Sequence, residues 1–492
     1  MTTVFSAFER TARAHGARPF LQVLSEGIEY RYSDALSLVD SISRRYREAG
    51  YGAGHRVALR LPNCSEFLLH FLALNSLGAA VVPVNPDYRA AELDYVLTHS
   101  EAAAVITRDE LEHPPPPGPR GAATECALLY TSGTTGKPKG CLLDNFYFLN
   151  VGRRYLELGG LCALQQGEER LITPLPLFHM NALAVSTTAM ILAAGCVVQL
   201  DRFHPKTWWR DVAASRATIV HYLGVMPAML LSQEPGPFDR SHRVRFGFGA
   251  NANPRDHAAF EARFGFPLAE SWAMTETGGG AMISASREPR HVGTRCFGFP
   301  PHDLDVQIDD GTGELLVRQR GKDPRRGFFS GYLKDAAATE EAWRDGWFHT
   351  GDAVRRGEDG ELHFVDRIKN IIRRAGENIA ALEVEAALAD HPAVAQVAVI
   401  AAPDPVRDEE VFACIVLRDQ GTAGLELARS IQDHCLAQLA YFKAPGWIYF
   451  TDTLPTTGTQ KIQKHQIFPA DADPRTLPGM FDMRARKTRR RD

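Results

Sequence analysis

Short apolar runs alternate with amphipathic stretches through the first two-thirds of the chain. The pattern predicts a buried strand at residues 57–61, a helix at 64–77 and another strand at 79–84. A strand–helix–strand rhythm of this kind predicts a parallel sheet flanked by helices. A second copy of the rhythm begins near residue 170, with strand, helix and strand predicted at 171–174, 183–193 and 196–200.

The pattern becomes β-rich from about residue 297. Residues 304–308 alternate, an Asp-Asp-Gly turn follows at 309–311, and a second strand is predicted at 314–317. Such a pair of alternating runs around a turn is typical of a hairpin. Beyond Arg367 the pattern is α+β, with helices predicted at 381–389 and 427–439 and strands at 394–400 and 412–416.

These patterns predict an α/β fold with two parts. The large N-terminal domain would comprise two α/β sheet subdomains and a β-rich subdomain, and the small C-terminal domain would be α+β. We place the boundary near Asp366–Lys369, which divides the chain into residues 1–366 and 367–492.

Composition and charge narrow the class of protein. Of the 492 residues, 45% are hydrophobic and 23% are charged, which is ordinary for a globular protein and excludes a disordered or collagen-like chain. The net charge of −4 argues against nucleic acid as a partner. Residues 481–492 hold six Lys or Arg and two Asp, and an Arg-rich end of this kind is expected to be solvated and mobile, with a contact arm as the alternative.

The eight cysteines are scattered, without zinc-ligand spacing, which is typical of a reducing compartment. The N-terminus carries Glu9 and no apolar core, so we expect no signal peptide. The longest apolar stretch, residues 183–200, contains polar residues, and we predict a buried helix and strand there rather than a membrane span. A cytoplasmic protein is expected.

The sharpest local signal is the segment from Thr131 to Lys139, Thr-Ser-Gly-Thr-Thr-Gly-Lys-Pro-Lys, which follows an apolar strand. Backbone N–H groups, hydroxyls and lysines in such a loop can face an oxyanion, so the composition predicts a phosphate-binding loop. It is not a Walker A loop, because Thr131 and Pro138 stand where that motif needs Gly and Ser or Thr. The alternative is a flexible surface turn.

Several motifs in order resemble the adenylate-forming superfamily of acyl-CoA synthetases, peptide-synthetase adenylation domains and luciferases. The resemblance covers about residues 20–470, and its overall texture is most similar to the crotonobetaine/carnitine-CoA ligase-like branch. The matching segments are Thr131–Lys139, Gly249-Ala250-Asn251, Ser271–Thr277, His349–Asp352, Asp366–Lys369, Gly376–Asn378 and Leu454–Ile462.

The resemblance implies ATP, Mg²⁺ and coenzyme A as cofactor or co-substrates. It assigns ATP binding to Gly249, Ala250 and Asn251, where the family has a glycine-rich turn. Phosphate binding is assigned to Thr131, Ser132, Gly133, Thr134, Thr135 and Lys139.

Thr275 and Glu276 are the predicted catalytic pair. Glu276 is the predicted Mg²⁺ ligand, beside a Thr275 hydroxyl that can hold a phosphate oxygen. The alternative is a helix N-cap at Thr275 with an acidic first turn. Asp352 is the predicted ribose ligand, with a simple turn residue as the alternative, and Arg367 would add a ribose or phosphate contact.

Residues around the predicted acid pocket suggest its size. Trp272 stands where the family stacks an aromatic ring on adenine. Ala273 replaces a common glycine, which narrows the pocket and argues against long-chain fatty acids. His179 would gate the pocket, with a buried core histidine as the alternative. Asn181 and Met226 indicate a modest, partly polar acid.

The C-terminal part resembles the family's mobile domain. Lys461 is the predicted catalytic lysine, although Gln460 replaces the usual preceding glycine; the alternative is a solvated lysine. Lys369 stands at the hinge, and Gly376 would face the pantetheine tunnel. The remaining assignments are Arg373 near the adenylate and Arg202 near the phosphate of CoA, with an ordinary surface arginine as the alternative for Arg202.

The leading hypothesis is a carboxylic acid:CoA ligase that forms AMP and acts on a small to medium acid. A stand-alone adenylating enzyme that loads a carrier protein, and a non-catalytic nucleotide-binding protein, are the alternatives. The last is disfavoured because the predicted catalytic residues are all present. No carrier-protein segment follows residue 470, and the oligomeric state stays open, with a homodimer as one alternative.

Overall fold

The computed structural model describes residues 2–131, 138–375, 377–419, 423–456, 462–469 and 473–487. Ser132, Gly133, Thr134, Thr135, Gly376 and Lys461, which the sequence singled out, therefore lie outside the described residues.

The helices are short and lie against sheets. Helix α9, for example, has Asn253 as N-cap and Pro254 in its first turn, and it ends at Phe264 with Gly265, at φ +81°, as C-cap. All three residues are typical of helix ends. The helices are α1 Val4–His15, α2 Tyr32–Glu48, α3 Ser65–Ser76, α4 Ala90–Ser100, α5 Asn145–Glu157, α6 Thr187–Ala193, α7 Trp208–Ala214, α8 Val225–Leu231, α9 Pro254–Phe264, α10 Ala336–Ala342, α11 Ala381–Ala389 and α12 Leu425–Gln438.

The strands are β1 Pro19–Val23, β2 Ile28–Arg31, β3 Arg56–Leu59, β4 Ala80–Pro83, β5 Ala104–Ile106, β6 Ala127–Thr131, β7 Lys139–Leu143, β8 Arg170–Thr173, β9 Cys196–Gln199, β10 Ile219–Leu223, β11 Phe246–Ala250, β12 Leu268–Trp272, β13 Ile283–Ser284, β14 Cys296–Gly298, β15 Leu304–Ile308, β16 Glu314–Gln319, β17 Gly331–Tyr332, β18 Phe348–Arg356, β19 Leu362–Arg367, β20 Ile371–Arg374, β21 Glu377–Ala380, β22 Val394–Asp404, β23 Asp408–Leu417, β24 Trp447–Phe450 and β25 Met480–Asp482.

Two largely parallel sheets correspond to the two predicted α/β blocks. One has the order β17-β7-β6-β4-β3-β5, and the other has the order β13-β12-β11-β10-β8-β9-β1-β2. In the larger sheet β8, β9, β10, β11 and β12 pair in parallel, so their carboxyl ends share one edge. The predicted α/β class is confirmed.

Two smaller sheets account for the rest of the chain. The predicted β-rich region forms a five-stranded sheet of order β14-β19-β18-β16-β15. The C-terminal part forms a sheet of order β21-β20-β23-β24-β25, with β22 paired to β23. Apolar residues of β22, β23, α11 and α12 make the core beneath this last sheet.

The chain divides into two compact units, each described below by itself. Unit 1 comprises residues 1–307, 316–349 and 356–363, and unit 2 comprises residues 308–315, 350–355 and 364–492. Within the described residues, no helix combines the length and the apolar character needed to cross a bilayer. The stretch at 183–200 is instead buried, as expected for a core helix and strand.

The predicted helix at 183–193 is confirmed, although its first part, Asn181–Ser186, is a π-helix that continues as α6. One local expectation, a solvated basic tail, was wrong. The basic tail is not solvated as far as residue 487, because β25 pairs with β24 and the Lys487 side chain is fully buried against Glu410. Arg484 likewise lies over the Trp447 ring, 4.1 Å from its centroid.

Candidate functional site

The predicted phosphate-binding loop joins two paired strands of unit 1. β6 and β7 are antiparallel, and Thr131 pairs with Lys139, so these two residues form the base of the loop. The Thr131 hydroxyl lies 4.0 Å from the buried Cys141 thiol on β7. The base of the loop is therefore fixed by a sheet rather than by a flexible turn.

Lys139 is held beside an aromatic ring at the loop base. Its Nζ lies 4.9 Å from the centroid of the Tyr332 ring and 3.9 Å from a carboxylate oxygen of Asp335. A lysine placed over a ring face is stabilised electrostatically while its charge stays available to an anion.

Glu276 contacts the same tyrosine through its hydroxyl. The Tyr332 hydroxyl donates to Glu276 Oε1 at 3.0 Å, and the Glu276 carbonyl accepts from the Phe329 N–H at 2.8 Å. Burial and the Glu276 charge raise the pKa of Tyr332 well above its usual value, so its hydroxyl stays a donor. Thr131 pairs with Lys139 and contacts Cys141, and Tyr332 contacts both Lys139 and Glu276. Thr131, Lys139 and Glu276 therefore lie close together.

The N-cap alternative for Thr275 is wrong. No α-helix begins at Thr275, and the short 3₁₀ turn that follows, Gly278–Gly280, has Thr277 as its N-cap residue. The Thr275 carbonyl instead accepts from the buried Tyr147 hydroxyl at 2.8 Å. The backbone of the Thr275–Glu276 pair is therefore fixed from α5 and from the segment before β17.

The predicted Gly249-Ala250-Asn251 turn lies at the carboxyl end of β11. Asn251 has φ +64°, and a Cβ on Gly249 would lie 2.3 Å from the Tyr222 carbonyl oxygen, so only glycine fits there. The buried Glu270 accepts from the N–H groups of Asn251 at 2.8 Å and Ala252 at 3.1 Å, and from the Tyr222 hydroxyl at 2.6 Å.

Glu270 was not found from the sequence, although a lone acid within the apolar run Leu-Ala-Glu-Ser-Trp was a signal. Burial raises the pKa of Glu270, against the effect of the hydrogen bonds it accepts. Its role is to fix the turn at the edge of the sheet. Trp272 ends the neighbouring strand β12, is 6% exposed, and lies 6.1 Å from the Phe297 ring.

On the predicted acid side, His179 is exposed, so the core-histidine alternative is wrong. The buried histidine is His221 on β10. Its Nδ1 lies 2.8 Å from Asn181 Oδ1, and its Nε2 lies 3.0 Å from the Tyr155 hydroxyl. Burial lowers the pKa of His221 to about 3, so the ring is neutral. With Nδ1–H donating to Asn181, this ring fixes the orientation of the Asn181 amide.

In unit 2, Asp352 lies within strand β18, so the turn alternative is wrong. Its carboxylate is 3% exposed and lies 2.7 Å from Arg367 Nε. The Asp352 N–H donates to the Thr350 hydroxyl at 3.1 Å. The structure thus brings together the predicted ribose ligand and its predicted arginine neighbour.

The predicted hinge is anchored by Asp366, which is fully buried. Its Oδ1 accepts from the Arg367 N–H at 2.7 Å and from Asn370 Nδ2 at 3.0 Å, and its Oδ2 accepts from the Leu382 N–H at 2.8 Å. Lys369 lies within the 3₁₀ turn that follows. Burial, with the charges of Arg367 and Lys464, lowers the pKa of Lys369.

The other predicted residues of unit 2 border a small cavity. Arg373 and Asn378 pair across β20 and β21, and they line a cavity of about 220 Å³ with Thr312 and Ile368. Gly376 lies outside the described residues. In unit 1, Arg202 has a side chain that is 79% exposed, in keeping with the surface alternative.

Lys461 lies outside the described residues, yet the segment around it is anchored. Thr456 and Ile462 form an antiparallel bridge, and Lys464 Nζ lies 2.7 Å from a carboxylate oxygen of Glu385 on α11. Burial raises the pKa of Glu385, against the neighbouring Lys464 charge. Sequence reasoning missed this pair because its partners are far apart in the chain.

The donors present fit the expected nucleotide and ion. Glu276 offers carboxylate oxygens, which Mg²⁺ prefers, and Tyr332 orients one of them. The Trp272 ring and the buried Asp352 carboxylate suit adenine and ribose hydroxyls, respectively.

Named relatives match almost the whole length of the chain. Sulfoacetate–CoA ligase of Cupriavidus necator is 29% identical, over 92% of this chain and 94% of the relative. Crotonobetaine/carnitine–CoA ligase of Proteus mirabilis is 28% identical, over 89% and 93%. The o-succinylbenzoate coenzyme A synthetase from Bacillus subtilis, solved in complex with ATP and magnesium ion, has a TM-score of 0.79 and 24% identity, over 94% of this chain and 98% of that chain.

Two family matches cover most of the sequence. The AMP-binding enzyme family matches residues 8–125 and 108–333, and the AMP-binding enzyme C-terminal domain matches residues 383–461. They include the loop base at Thr131 and Lys139, the Thr275–Glu276 pair and the strand that carries Trp272. The resemblance seen in the motifs is therefore confirmed, and the chain belongs to the AMP-binding enzyme family.

Proposed function

We propose that this chain is an ATP-dependent carboxylic acid:CoA ligase that acts on a small to medium acid. It forms acyl-AMP and pyrophosphate, and then acyl-CoA and AMP. The observation that carries the proposal is the convergence of Thr131, Lys139 and Glu276 at the base of a loop rich in Gly, Ser and Thr. The enzyme class, an acid–thiol ligase, is confirmed by the family and by its named relatives.

In the first step, a carboxylate oxygen of the acid attacks the α-phosphorus of ATP and pyrophosphate leaves. Negative charge builds on the phosphate oxygens, so donors placed in advance lower the barrier. The loop N–H groups, the Thr131 hydroxyl and Lys139 would hold the departing phosphates. Glu276 would hold a magnesium ion, which would supply further charge neutralisation, and Thr275 would hold a phosphate oxygen.

In the second step, the thiolate of CoA attacks the acyl carbon and AMP leaves with the electrons of the C–O bond. In this step pantetheine must reach the place that Lys461 occupies in the first step. A C-terminal domain of residues 367–492 that pivots at Lys369 would serve both steps. Gly376 and Arg373 would contribute to the second step, and Arg202 would bind the phosphate of CoA. The single turn that carries Lys369 supports a pivot there.

Nucleotide recognition would use separate groups. Asp352 would accept from the ribose hydroxyls, and Arg367, 2.7 Å away, orients that carboxylate. Trp272 would stack on adenine at the strand edge where Gly249, Ala250 and Asn251 form an open turn. The buried Glu270 holds that turn.

The acid is proposed to be short and partly polar. Because Oδ1 of Asn181 faces His221, its amide N–H₂ is the free end, and it has no acceptor within the described residues. A fixed donor of this kind favours an acid with an oxygen-bearing group. Ala273 limits the width of the pocket, and His179 would close it. The relatives are named for sulfoacetate and for crotonobetaine or carnitine, which are short polar acids.

The test is a panel of short aliphatic, sulfonated, quaternary-ammonium and aromatic acids, with AMP release measured with and without CoA. The proposal predicts AMP release that depends on both an acid and CoA. Rapid pyrophosphate release without CoA-dependent turnover, restored by a phosphopantetheinylated carrier protein, would favour the carrier-loading alternative. A cytoplasmic location and a homodimer stay predictions.

A further inference from the structure

A second group of metal-ligating side chains lies in unit 1, on the hairpin between β18 and β19. Asp359 and Glu361 belong to the hairpin turn, and His291 comes from the segment before β14. One ligand atom from each of these residues lies within 4.8 Å of the other two. None of these residues belongs to the loop base or to the Thr275–Glu276 pair.

The group is centred on a buried carboxylate. The Glu361 side chain is 4% exposed, and its Oε1 faces two imidazoles. His363 Nε2 lies 3.1 Å from that oxygen, and His291 Nε2 lies 3.5 Å from it. The other Glu361 oxygen accepts from the Asp359 N–H at 3.1 Å.

The hydrogen bonds leave one nitrogen unexplained. His363 Nδ1 lies 3.1 Å from the Thr294 carbonyl and its Nε2 lies 3.1 Å from Glu361 Oε1, so the ring is fixed between Thr294 and Glu361. His291 Nε2, in contrast, is buried and has no hydrogen-bond partner within the described residues. This imidazole nitrogen makes no hydrogen bond in the described part of the chain and lies 3.5 Å from a Glu361 oxygen, so with Asp359 and Glu361 it forms a donor set for a cation.

The spacing suits a bound ion. Zinc binds imidazole nitrogen at about 2.0–2.1 Å and carboxylate oxygen at about 2.0–2.2 Å, so two ligands at a tetrahedral angle lie roughly 3.4 Å apart. The His291 Nε2–Glu361 Oε1 separation is 3.5 Å. Two carboxylates also balance the charge of a divalent ion, and a histidine that orients a ligating carboxylate is a common arrangement around metals.

We propose that His291, Asp359 and Glu361 bind a divalent transition-metal ion, with zinc as the expected type, and that His363 positions Glu361. The ion would join the β18–β19 hairpin to the segment before β14. Its role is structural, because the ligands hold two pieces of chain together and none of them is among the groups assigned to the reaction.

The test is a titration of the full-length protein, stripped with EDTA and free of ATP, with Co²⁺ as a spectroscopic probe. The expected result is one equivalent of Co²⁺ with visible absorption bands of a low-coordinate site, displaced by Zn²⁺. His291→Asn should weaken binding by at least about 10-fold, since removing a ligand loses no less than removing its support. His363→Gln, a change to the positioning residue, should weaken binding about 10-fold.

Two controls separate this site from others. Glu276→Gln removes the ligand proposed for Mg²⁺, and Cys64→Ser alters a second group of metal-ligating residues, Glu26, Cys64 and Glu66. Both variants should keep the Co²⁺ spectrum. Failure to bind one equivalent, or a spectrum that is unchanged in His291→Asn but lost in Cys64→Ser or Glu276→Gln, would overturn the proposal.

Discussion

At the scale of single residues, the candidate site depends on neighbours that fix a few chemical groups. Tyr332 is the clearest case, because its ring lies beside Lys139 while its hydroxyl donates to Glu276. One side chain thereby sets the position of a cation and of an anion. The sequence motif identified Lys139 and Glu276, and it contained no sign of the tyrosine between them.

Tyr332→Phe should raise the Mg²⁺ concentration that gives half-maximal pyrophosphate release by about 10-fold, because loss of a group that orients a metal ligand commonly weakens metal binding 10–100-fold. The ring that supports Lys139 stays in place. Tyr441→Phe, a hydroxyl loss in unit 2, is the matched control and should leave the Mg²⁺ dependence unchanged. An unchanged Mg²⁺ dependence in Tyr332→Phe would contradict the assignment of Glu276 as the Mg²⁺ ligand.

Lys461→Ala should slow pyrophosphate release by about 100–1,000-fold, the range seen when one preorganised electrostatic group is removed from a transition state. Thioester formation from supplied acyl-AMP should change much less. Lys206→Ala removes the same charge from an exposed position of unit 1 and serves as the control. Equal losses in both half-reactions would contradict the assignment of Lys461 to adenylation.

At the scale of elements, buried acids fix the segments that carry function. Glu270 holds the turn after β11, Asp366 holds the turn that contains Lys369, and Glu385 on α11 holds the segment after Lys461. In each case the partner is far away in sequence, or the acid bonds to backbone N–H groups. Hydrophobic periodicity therefore predicted the elements, but it could not predict what locks them.

Lys369→Pro should retain one half-reaction and lose most of the other, because proline fixes φ in the single turn that is proposed as the pivot. Lys369→Ala, which keeps the backbone free, should retain both. Pre-steady-state measurement of pyrophosphate release, and of acyl-CoA formation from acyl-AMP, distinguishes the two outcomes. Wild-type rates for both steps in Lys369→Pro would place the pivot elsewhere or make it unnecessary.

At the scale of the whole molecule, strand patterning and motif order were enough to predict the α/β class and the family. Buried neutral histidines were beyond sequence analysis, since burial depends on packing across the sheet. His70 and His221 are the clearest examples, and burial lowers the pKa of each to about 3. His70 lies 2.7 Å from the Tyr46 hydroxyl, and both histidines belong to unit 1.

These histidines predict acid destabilisation of unit 1. The unfolded chain binds protons near pH 6.5, whereas the folded chain leaves both rings neutral down to about pH 3. The contribution of these histidines to the free energy of unfolding is therefore fully present above pH 6.5. It is lost as the pH falls towards 3, by about 1.4 kcal/mol per pH unit for each histidine. Urea midpoints between pH 7 and pH 5 should fall accordingly. The slope of the urea midpoint against pH should be about halved in His70→Asn. An unchanged slope would contradict the assignment of this pH dependence to the two histidines.

The central claim is that the acid is activated as an acyl-adenylate before CoA attacks. The most direct measurement uses the best acid from the panel with ¹⁸O in its carboxylate, and mass spectrometry of the AMP released during CoA-dependent turnover. Because the carboxylate oxygen that attacks the α-phosphorus stays with AMP, the account predicts one ¹⁸O in every AMP formed. Unlabelled AMP, or ADP and phosphate in place of AMP and pyrophosphate, would contradict it.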